Sequence, residues 1–434
     1  MILPDGTKEK YMKKAGVAIL GLGVVGGGTL EILLEKKKQI ADEYGVDLTV
    51  VAVLDKFKDK VLKYGLDTSI CADSIDDICD NPDVDIVVEC MGGLEPARTF
   101  LIKALEAGKS IVTSNKEMFA KSWVELEQAA AKTGAGLYYE ATTGGGMPII
   151  RVMTQAMQAN SIMEIKAIIN GTTNYILSKM TQEGADYAEV LKDAQALGYA
   201  EANPVADVEG YDSSYKLSIL SSLAFNKRLP VELISREGIT NITKTDIAVA
   251  RELGFVIKLL AIAKRRGEKI EARVTPVFLS KDHPLANVND SFNAVFLVGD
   301  NVGDIMLYGR GAGALPTGSA IVSDIVFCAR QEKHARYSEM NVSMTESDIE
   351  YDYESEYYIR LDVHDVVGVI ADIAAVFKKH KVSISQMRQA DSKEIIPVVF
   401  VTHKTREFDM QKAIEEIGRL GNVIGVRNVI RVER

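Results

Sequence analysis

The sequence predicts an α/β protein: a doubly wound parallel sheet at its N-terminal end, an α+β region after it, and a small βαββαβ module at its C-terminal end. Three observations lead there. Short, nearly uninterrupted apolar runs alternate with helical stretches over residues 14–150, as strands buried on both faces require. The first run breaks into glycines and then a helix, in GVAILGLGVVGGG (16–28). Residues 356–434 read strand–helix–strand–strand–helix–strand.

Taken in order, Val17 to Leu20 form a short apolar strand, and Leu30, Leu33 and Leu34 mark the helix that follows the glycines. LTVVAVL (48–54) is the second strand and ends at Asp55. DIVVEC (85–90), SIVTSN (110–115) and GLYYE (136–140) continue the sheet, separated by helical stretches such as PARTFLIKALEAG and WVELEQAAAKTG. After residue 150 comes the strand SIMEIKAIIN (161–170) and then several helices. One of them opens at Asp186 with Glu189 three residues on, a capping-box pattern. KIEARVTPVFLS (269–280), NAVFLVG (293–299) and DIMLYGRG (304–311) read as strands of a second sheet, and PTGSAIVSDIVFCAR (316–330) as a helix returning to the first domain. The polar, acidic stretch 336–355 reads as a linker. The expected domains are therefore 14–150 with 312–335, 151–311, and 356–434.

Composition narrows the class. The chain has 434 residues, 47% hydrophobic and 26% charged, with a net charge of −10. That is the balance of a globular, multidomain protein, and it lacks the positive field that nucleic acid requires. No apolar run approaches the length of a membrane span, and the polar N-terminus has no signal-peptide centre. Four widely spaced cysteines give neither a disulfide framework nor a zinc site. The expectation is a cytoplasmic protein without nucleic-acid or membrane partners.

Four groups of residues carry chemistry. Gly21, Gly23 and Gly26, with Leu22, Val24 and Val25 between them, form G-x-G-x-x-G between strand and helix. The first glycine allows a tight turn, the second lets the backbone approach a pyrophosphate, and the third allows close helix packing. A purely structural turn is the alternative. Asp55 closes the second strand, where a carboxylate bonds ribose hydroxyls and repels a 2′-phosphate, so it leans towards NAD; Lys56 beside it tolerates NADP. Lys116 follows directly after a strand of the parallel sheet, at the end where ligands bind, although an ordinary surface lysine has the same appearance. Glu140 opens EATTGGGMP, where carbonyls of Thr143, Gly145 and Met147 suit a hard monovalent cation. The residues alone favour a flexible hinge there. Finally, GYAEANPVADVEGYDSSYK (198–216) gathers Glu201, Asp207, Glu209 and Asp212 before Lys216. Asp212 and Lys216 stand one helical turn apart, a spacing shared with ordinary solvated ion pairs. The almost uncharged LSILSSLAF that follows suggests instead a lysine drawn inward and tuned for proton transfer.

NGTTNYIL (170–177) together with GYAEANPVADVEGYDSSYKLSIL (198–220) resembles the homoserine dehydrogenase family, and GLGVVGGG, SNKE, EATTGGGMPII and GRGAGALPTGSAIVSD (309–324) match it in the same order. The resemblance covers roughly residues 14–330. The tail resembles an ACT domain, a module that binds amino acids or mediates assembly. The resemblance implies a Rossmann-type domain, an α+β catalytic and dimerisation domain, and the ACT domain as a ferredoxin-like βαββαβ unit. It also implies interconversion of L-homoserine and L-aspartate 4-semialdehyde with NAD or NADP. Lys216 is then the catalytic lysine and Lys116 the second active-site lysine, near both nicotinamide and substrate. Glu201 and Asp212 bind substrate, with Asp207 supporting them; Gly198 and Gly313 line the cofactor cleft. Glu140, Thr143, Gly145 and Met147 correspond to a sodium-type cation site, the last three through main-chain carbonyls, which reverses the hinge reading. A threonine-like effector at the ACT domain and a homodimer or homotetramer complete the expectation. Val367 stands before Gly368 where the usual ACT turn has proline, which bears on effector binding at that loop. An amino-acid sensor with a vestigial dinucleotide domain, or a dehydrogenase of another amino-acid-derived aldehyde, would share many of these features.

Overall fold

The computed structural model describes residues 12–334, 342–389 and 395–434. The chain divides into two compact units: residues 1–162, 215–231 and 298–343, and residues 163–214, 232–297 and 344–434. Among the described residues no helix is long and apolar enough to cross a membrane.

In the first unit, β1 (Lys13–Leu20), β2 (Val46–Leu54), β3 (Ile86–Glu89), β4 (Ser110–Thr113) and β5 (Leu137–Tyr138) pair in parallel in the order β2-β1-β3-β4-β5. Residues Ala15 to Leu20 are buried without interruption, so each face needs its own cover. α1 (Val24–Tyr44) and α11 (Ala314–Arg330) pack against Val17, Ile19, Val88 and Val112. α2 (Ile75–Asp80), α3 (Ala97–Glu106) and α4 (Lys116–Thr133) pack against Ala18, Leu20, Val87 and Ile111. The crossing of α1 and α11 depends on glycine, since a Cβ on Gly28 would lie 2.5 Å from the Ala314 carbonyl oxygen. The short α5 (Ile149–Arg151) and the strand β11 (Gly303–Arg310) also belong to this unit.

The second unit begins with β6 (Ile162–Ile168), α6 (Gly171–Glu183), α7 (Tyr187–Ala196) and α8 (Val205–Val208), after which α9 (Tyr211–Phe225) carries the chain into the first unit's span. It resumes with β7 (Ser235–Arg236), α10 (Lys244–Glu252), β8 (Phe255–Arg266), β9 (Lys269–Ser280) and β10 (Phe292–Gly299). The C-terminal part adds β12 (Glu354–His364), α12 (Val369–Lys379), β13 (Ile384–Gln389), β14 (Ile395–Thr402), β15 (Thr405–Arg406), α13 (Glu407–Ile417) and β16 (Val423–Glu433). One sheet runs through it in the order β10-β6-β8-β9-β16-β12-β14-β13.

Four expectations change. The long β8, which forms an antiparallel hairpin with β9 from Phe255↔Ser280 to Arg266↔Lys269, was not read from the sequence. Asp186 is the N-cap of α7 but makes no side-chain cap, because its carboxylate pairs instead with Lys244 at 3.0 Å. The expected linker lies partly outside the described residues, at 336–341; from residue 342 onward it is not a free tether. Met344 and Ile349 are buried, and the Glu350 N–H donates to the Ile270 carbonyl at 2.9 Å, so apolar side chains and a backbone hydrogen bond seat the segment. Nor does the C-terminal module stand apart. β16 pairs in parallel with β9 at Arg431↔Val277, Val432↔Phe278 and Glu433↔Leu279. Glu433 is buried against Arg273 at 2.5 Å, Lys264 at 2.9 Å and Lys166 at 3.4 Å. Buried Asp246, at the start of α10, accepts from Tyr358 Oη and Arg360 Nε, both at 2.8 Å.

Candidate active site

The glycine loop sits where the strand order of the first sheet reverses, between β1 and β3, the place where open α/β sheets take ligands. Gly21 has φ +90°, and a Cβ on Gly26 would lie 1.9 Å from the Gly21 carbonyl oxygen, so neither position accepts a side chain. A Cβ on Gly23 would meet nothing within 4 Å. α1, 21 residues long, has neither a side-chain cap nor an acidic residue in its first turn. Its N-terminal N–H groups are thus left for an anionic ligand, which fits a dinucleotide pyrophosphate. Leu22 is buried and Val24 is exposed, with Val25 between these extremes. A Gly26→Ala chain is expected to lose cofactor affinity by roughly tenfold or more, read by NAD(P)H fluorescence titration of protein with a wild-type circular dichroism spectrum; unchanged affinity would contradict this role.

Asp55 does more than its place at the end of β2 suggested. One carboxylate oxygen accepts the Leu22 N–H at 2.7 Å, the other accepts the Phe57 N–H at 2.9 Å, and Lys60 pairs with it at 3.0 Å. Burial works to raise its carboxyl, but these partners outweigh burial and hold it below the usual carboxylate range. Asp55 therefore braces the glycine loop, while Lys56 is exposed.

A residue missed in the sequence, Glu89, closes β3. Buried, it accepts the Thr113 hydroxyl at 2.6 Å and the N–H groups of Met91 and Gly92 at 2.8 and 3.1 Å. Burial pushes its carboxyl up, against these hydrogen bonds. Asn115 joins the network: its Nδ2 donates to the Gly93 carbonyl at 2.7 Å, and its Oδ1 caps α4 by accepting the Met118 N–H at 3.1 Å. Lys116, half-buried, is the first residue of the helix so fixed. The signal was an acid closing an otherwise apolar strand, the pattern already noted at Asp55.

In the second unit, Asn170, from NGTTNYIL, caps α6 through Oδ1, which accepts the Thr173 N–H at 2.9 Å. Its Nδ2 donates to Asp207 at 2.7 Å and to Asp212 at 3.0 Å. Two of the expected substrate carboxylates are thus brought together by one amide. Glu201 lies exposed after α7, and Gly198 takes φ +76° in the turn before it. Asp212 and Lys216 sit four residues apart on α9 with only 7% and 8% of their surfaces exposed, unlike a solvated pair.

The loop after β5 is buried rather than an exposed hinge: Thr143, Gly145 and Met147 are all covered. Glu140 accepts the N–H groups of Ile150 and Arg151 at 2.7 and 2.9 Å. Burial, with Asp324 adding to it, pushes its carboxyl up to about 7. Arg151 pairs with Asp324, which accepts the Glu140 N–H at 2.9 Å. Thr143 Oγ1 is buried without a hydrogen-bond partner among the described residues, while the Met147 carbonyl accepts the Ile149 N–H at 2.9 Å. Gly313 caps α11 at φ +125°, a conformation that L side chains rarely adopt. Among the described residues no cluster of three or more His, Cys, Asp or Glu side chains is arranged to hold a metal.

These features agree with comparisons to known proteins. Residues 21–140 match the model of the homoserine dehydrogenase NAD-binding domain, residues 148–326 that of homoserine dehydrogenase, and residues 357–422 that of the ACT domain. Homoserine dehydrogenase of Mycobacterium tuberculosis is 40% identical over 97% of this chain and 98% of its own length. The crystal structure of a homoserine dehydrogenase from Thiobacillus denitrificans superposes with a TM-score of 0.89 at 39% identity, covering 97% of this chain and 99% of that one. A hyperthermophilic archaeal homoserine dehydrogenase in complex with NADPH covers 74% of this chain and 100% of that one, with a TM-score of 0.63 at 29% identity. By its sequence over almost its whole length, and by the fold that sequence takes, the chain belongs to the homoserine dehydrogenase family of oxidoreductases and carries a C-terminal ACT domain.

Proposed function

We propose that the chain interconverts L-aspartate 4-semialdehyde and L-homoserine, with Lys216 exchanging a proton with the substrate oxygen. The observation that carries this reading is α9, on which buried Asp212 and Lys216 stand one turn apart while Asn170 holds Asp212 beside Asp207. Asp212, Asp207 and Glu201 receive the substrate ammonium.

The glycine loop from Gly21 to Gly26, with Asp55, Lys56, Lys116, Gly198 and Gly313, would hold NAD or NADP; the archaeal relative is in complex with NADPH. When bound, the nicotinamide supplies the hydride for reduction and receives it in oxidation. In reduction Lys216, as the ammonium, gives its proton to the developing alkoxide, and Lys116 adds positive charge that stabilises that oxygen. In oxidation neutral Lys216 accepts the hydroxyl proton. Asp55 favours NAD. A sodium-type ion fits the loop after β5: Thr143, Gly145 and Met147 offer carbonyls beside Glu140, and the Thr143 hydroxyl is a buried oxygen without a hydrogen-bond partner among the described residues. The ACT domain receives an amino-acid effector, and the chain works in the cytoplasm as a homodimer or homotetramer.

The test is NAD(P)H oxidation by the full chain with L-aspartate 4-semialdehyde, succinate semialdehyde and glyceraldehyde. Turnover confined to the first supports the reading, and turnover on none would favour a sensor. A tenfold or greater preference for NADP in kcat/KM would overturn the role given to Asp55.

A further inference from the structure

β8 carries a lysine among apolar neighbours. Lys258 lies between Ile257 and Leu259 on an inner strand of the second unit's sheet, in register with Val277 of β9, and only 2% of its surface is exposed. An ammonium is costly to bury unless its protons find acceptors. Lys258 Nζ donates to the Val288 carbonyl at 2.5 Å, to Asn174 Oδ1 at 3.0 Å and to Asn289 Oδ1 at 3.3 Å. All three acceptors are neutral. Burial accordingly pulls the ammonium down to about 8, with Asp290 opposing it. An apolar side chain would fill this place without that cost, so the three hydrogen bonds are what the lysine adds.

Those bonds join the first turn of α6 to the loop before β10. Asn174 Nδ2 donates to the Val288 and Phe292 carbonyls at 3.1 and 3.0 Å, so this amide has its oxygen on the lysine and its hydrogens on the loop. The loop lies close against the helix over two turns. A Cβ on Gly171 would lie 2.9 Å from the Ser291 carbonyl oxygen, and the Asp290 N–H donates to Ser178 Oγ at 3.2 Å. Asp290 takes φ +55°, uncommon for a residue other than glycine and kept where the surroundings fix it. One turn before Asn174 stands Asn170, whose carbonyl accepts the Asn174 N–H at 3.2 Å and whose Nδ2 holds Asp207 and Asp212. The amide that gathers the carboxylates and the amide that meets the lysine thus share one helical turn.

We propose that Lys258 is a positioning residue of the substrate site: by locking Asn174 and residues 288–292 onto the first turn of α6, it sets where Asn170 holds Asp207 and Asp212. This rests on the reading of those carboxylates as ligands of the substrate ammonium. Lys258 acts through Asn174 and Asn170 and not by contact with the substrate. Displacement of a positioned group by about 1 Å can cost about a hundredfold.

Steady-state oxidation of L-homoserine by the full chain at pH 7, beside NAD(P)H fluorescence titration, tests this. Lys258→Met keeps the length of the side chain and removes its donors. It should raise KM for homoserine roughly tenfold or more, while kcat changes less than about threefold and cofactor affinity is unchanged. Asn174→Ala cuts the lysine from α6 and leaves it the Val288 and Asn289 oxygens. It should show the same split, and it carries the test if Lys258→Met does not fold. In an Asn170→Ala background either substitution should add less than about threefold to KM, because the path runs through Asn170. A lysine that only fills the core would lower the melting temperature and leave KM in place. That result, a loss confined to kcat, or KM effects that multiply in full with Asn170→Ala would overturn the proposal. Asp212→Ala separates the two readings. If it raises KM and the Lys258 and Asn174 variants do not, only the role of Lys258 falls. If Asp212→Ala itself leaves KM unchanged, the ammonium reading falls and the proposal with it.

Discussion

Lys216→Ala lowers kcat by about 10²–10⁴, the usual cost of removing one positioned acid/base. The loss should appear in kcat with saturating substrate more than in KM, because the lysine acts on charge that develops during reaction. The fold should survive. Alanine is the best helix former, and Lys216 lies within α9, a helix whose neighbouring residues Leu217, Ile219 and Leu220 keep it anchored by burial. Retention of more than a tenth of wild-type turnover in a folded variant would remove Lys216 from the chemistry.

The second large effect lies in the sheet that joins the ACT strands to β9. Glu433→Ala leaves Arg273, Lys264 and Lys166 short of their shared carboxylate in a buried setting, where breaking an ion pair costs about 3–5 kcal/mol. The unfolding midpoint in urea should fall accordingly, and Glu433→Gln, which keeps the shape, should show a smaller fall. The pH dependence has a definite sign. Burial alone would raise the Glu433 carboxyl, but the three cations overcome it and hold it at about 2, against an ordinary value of 4.5. A depressed carboxylate contributes stability that is complete above the ordinary value and is lost as pH falls through the folded one. The gap between wild type and Glu433→Gln should therefore be full at pH 6 and close between about pH 4.5 and 2. Equal stability at pH 6 would show that the cluster contributes nothing net. For the same reason, deleting residues 350–434 should give insoluble protein, since it strips β16 from β9 and leaves buried Arg273 with Glu271 but without Glu433.

Local pattern made part of this legible. The glycine loop could be read because strand, turn and helix are consecutive and each glycine has a steric reason, and the βαββαβ order of the tail because its elements are short and regularly spaced. β8 was not legible: FVIKLLAIA has no clean alternation, and Lys258 stands in the middle of it. That lysine is buried because it finds Asn174 Oδ1 at 3.0 Å and the Val288 carbonyl at 2.5 Å, partners far away in sequence. The same holds for Glu433 with Arg273, for Asp186, whose partner is Lys244 rather than its own helix, and for Glu89 with Thr113 and Asn115. Site residues announce themselves by type and spacing, whereas the groups that hold them in place are chosen by tertiary contact.

The most direct test follows the hydride itself. Aspartate semialdehyde is reduced by the full chain with NADH or NADPH carrying deuterium at the transferable C4 position, and the product is analysed by mass spectrometry. The expected result is L-homoserine with one deuterium at C4 from the wild type and almost none formed by Lys216→Ala. Homoserine formed without deuterium, or no homoserine from a folded, cofactor-binding wild type, would contradict the proposed reaction.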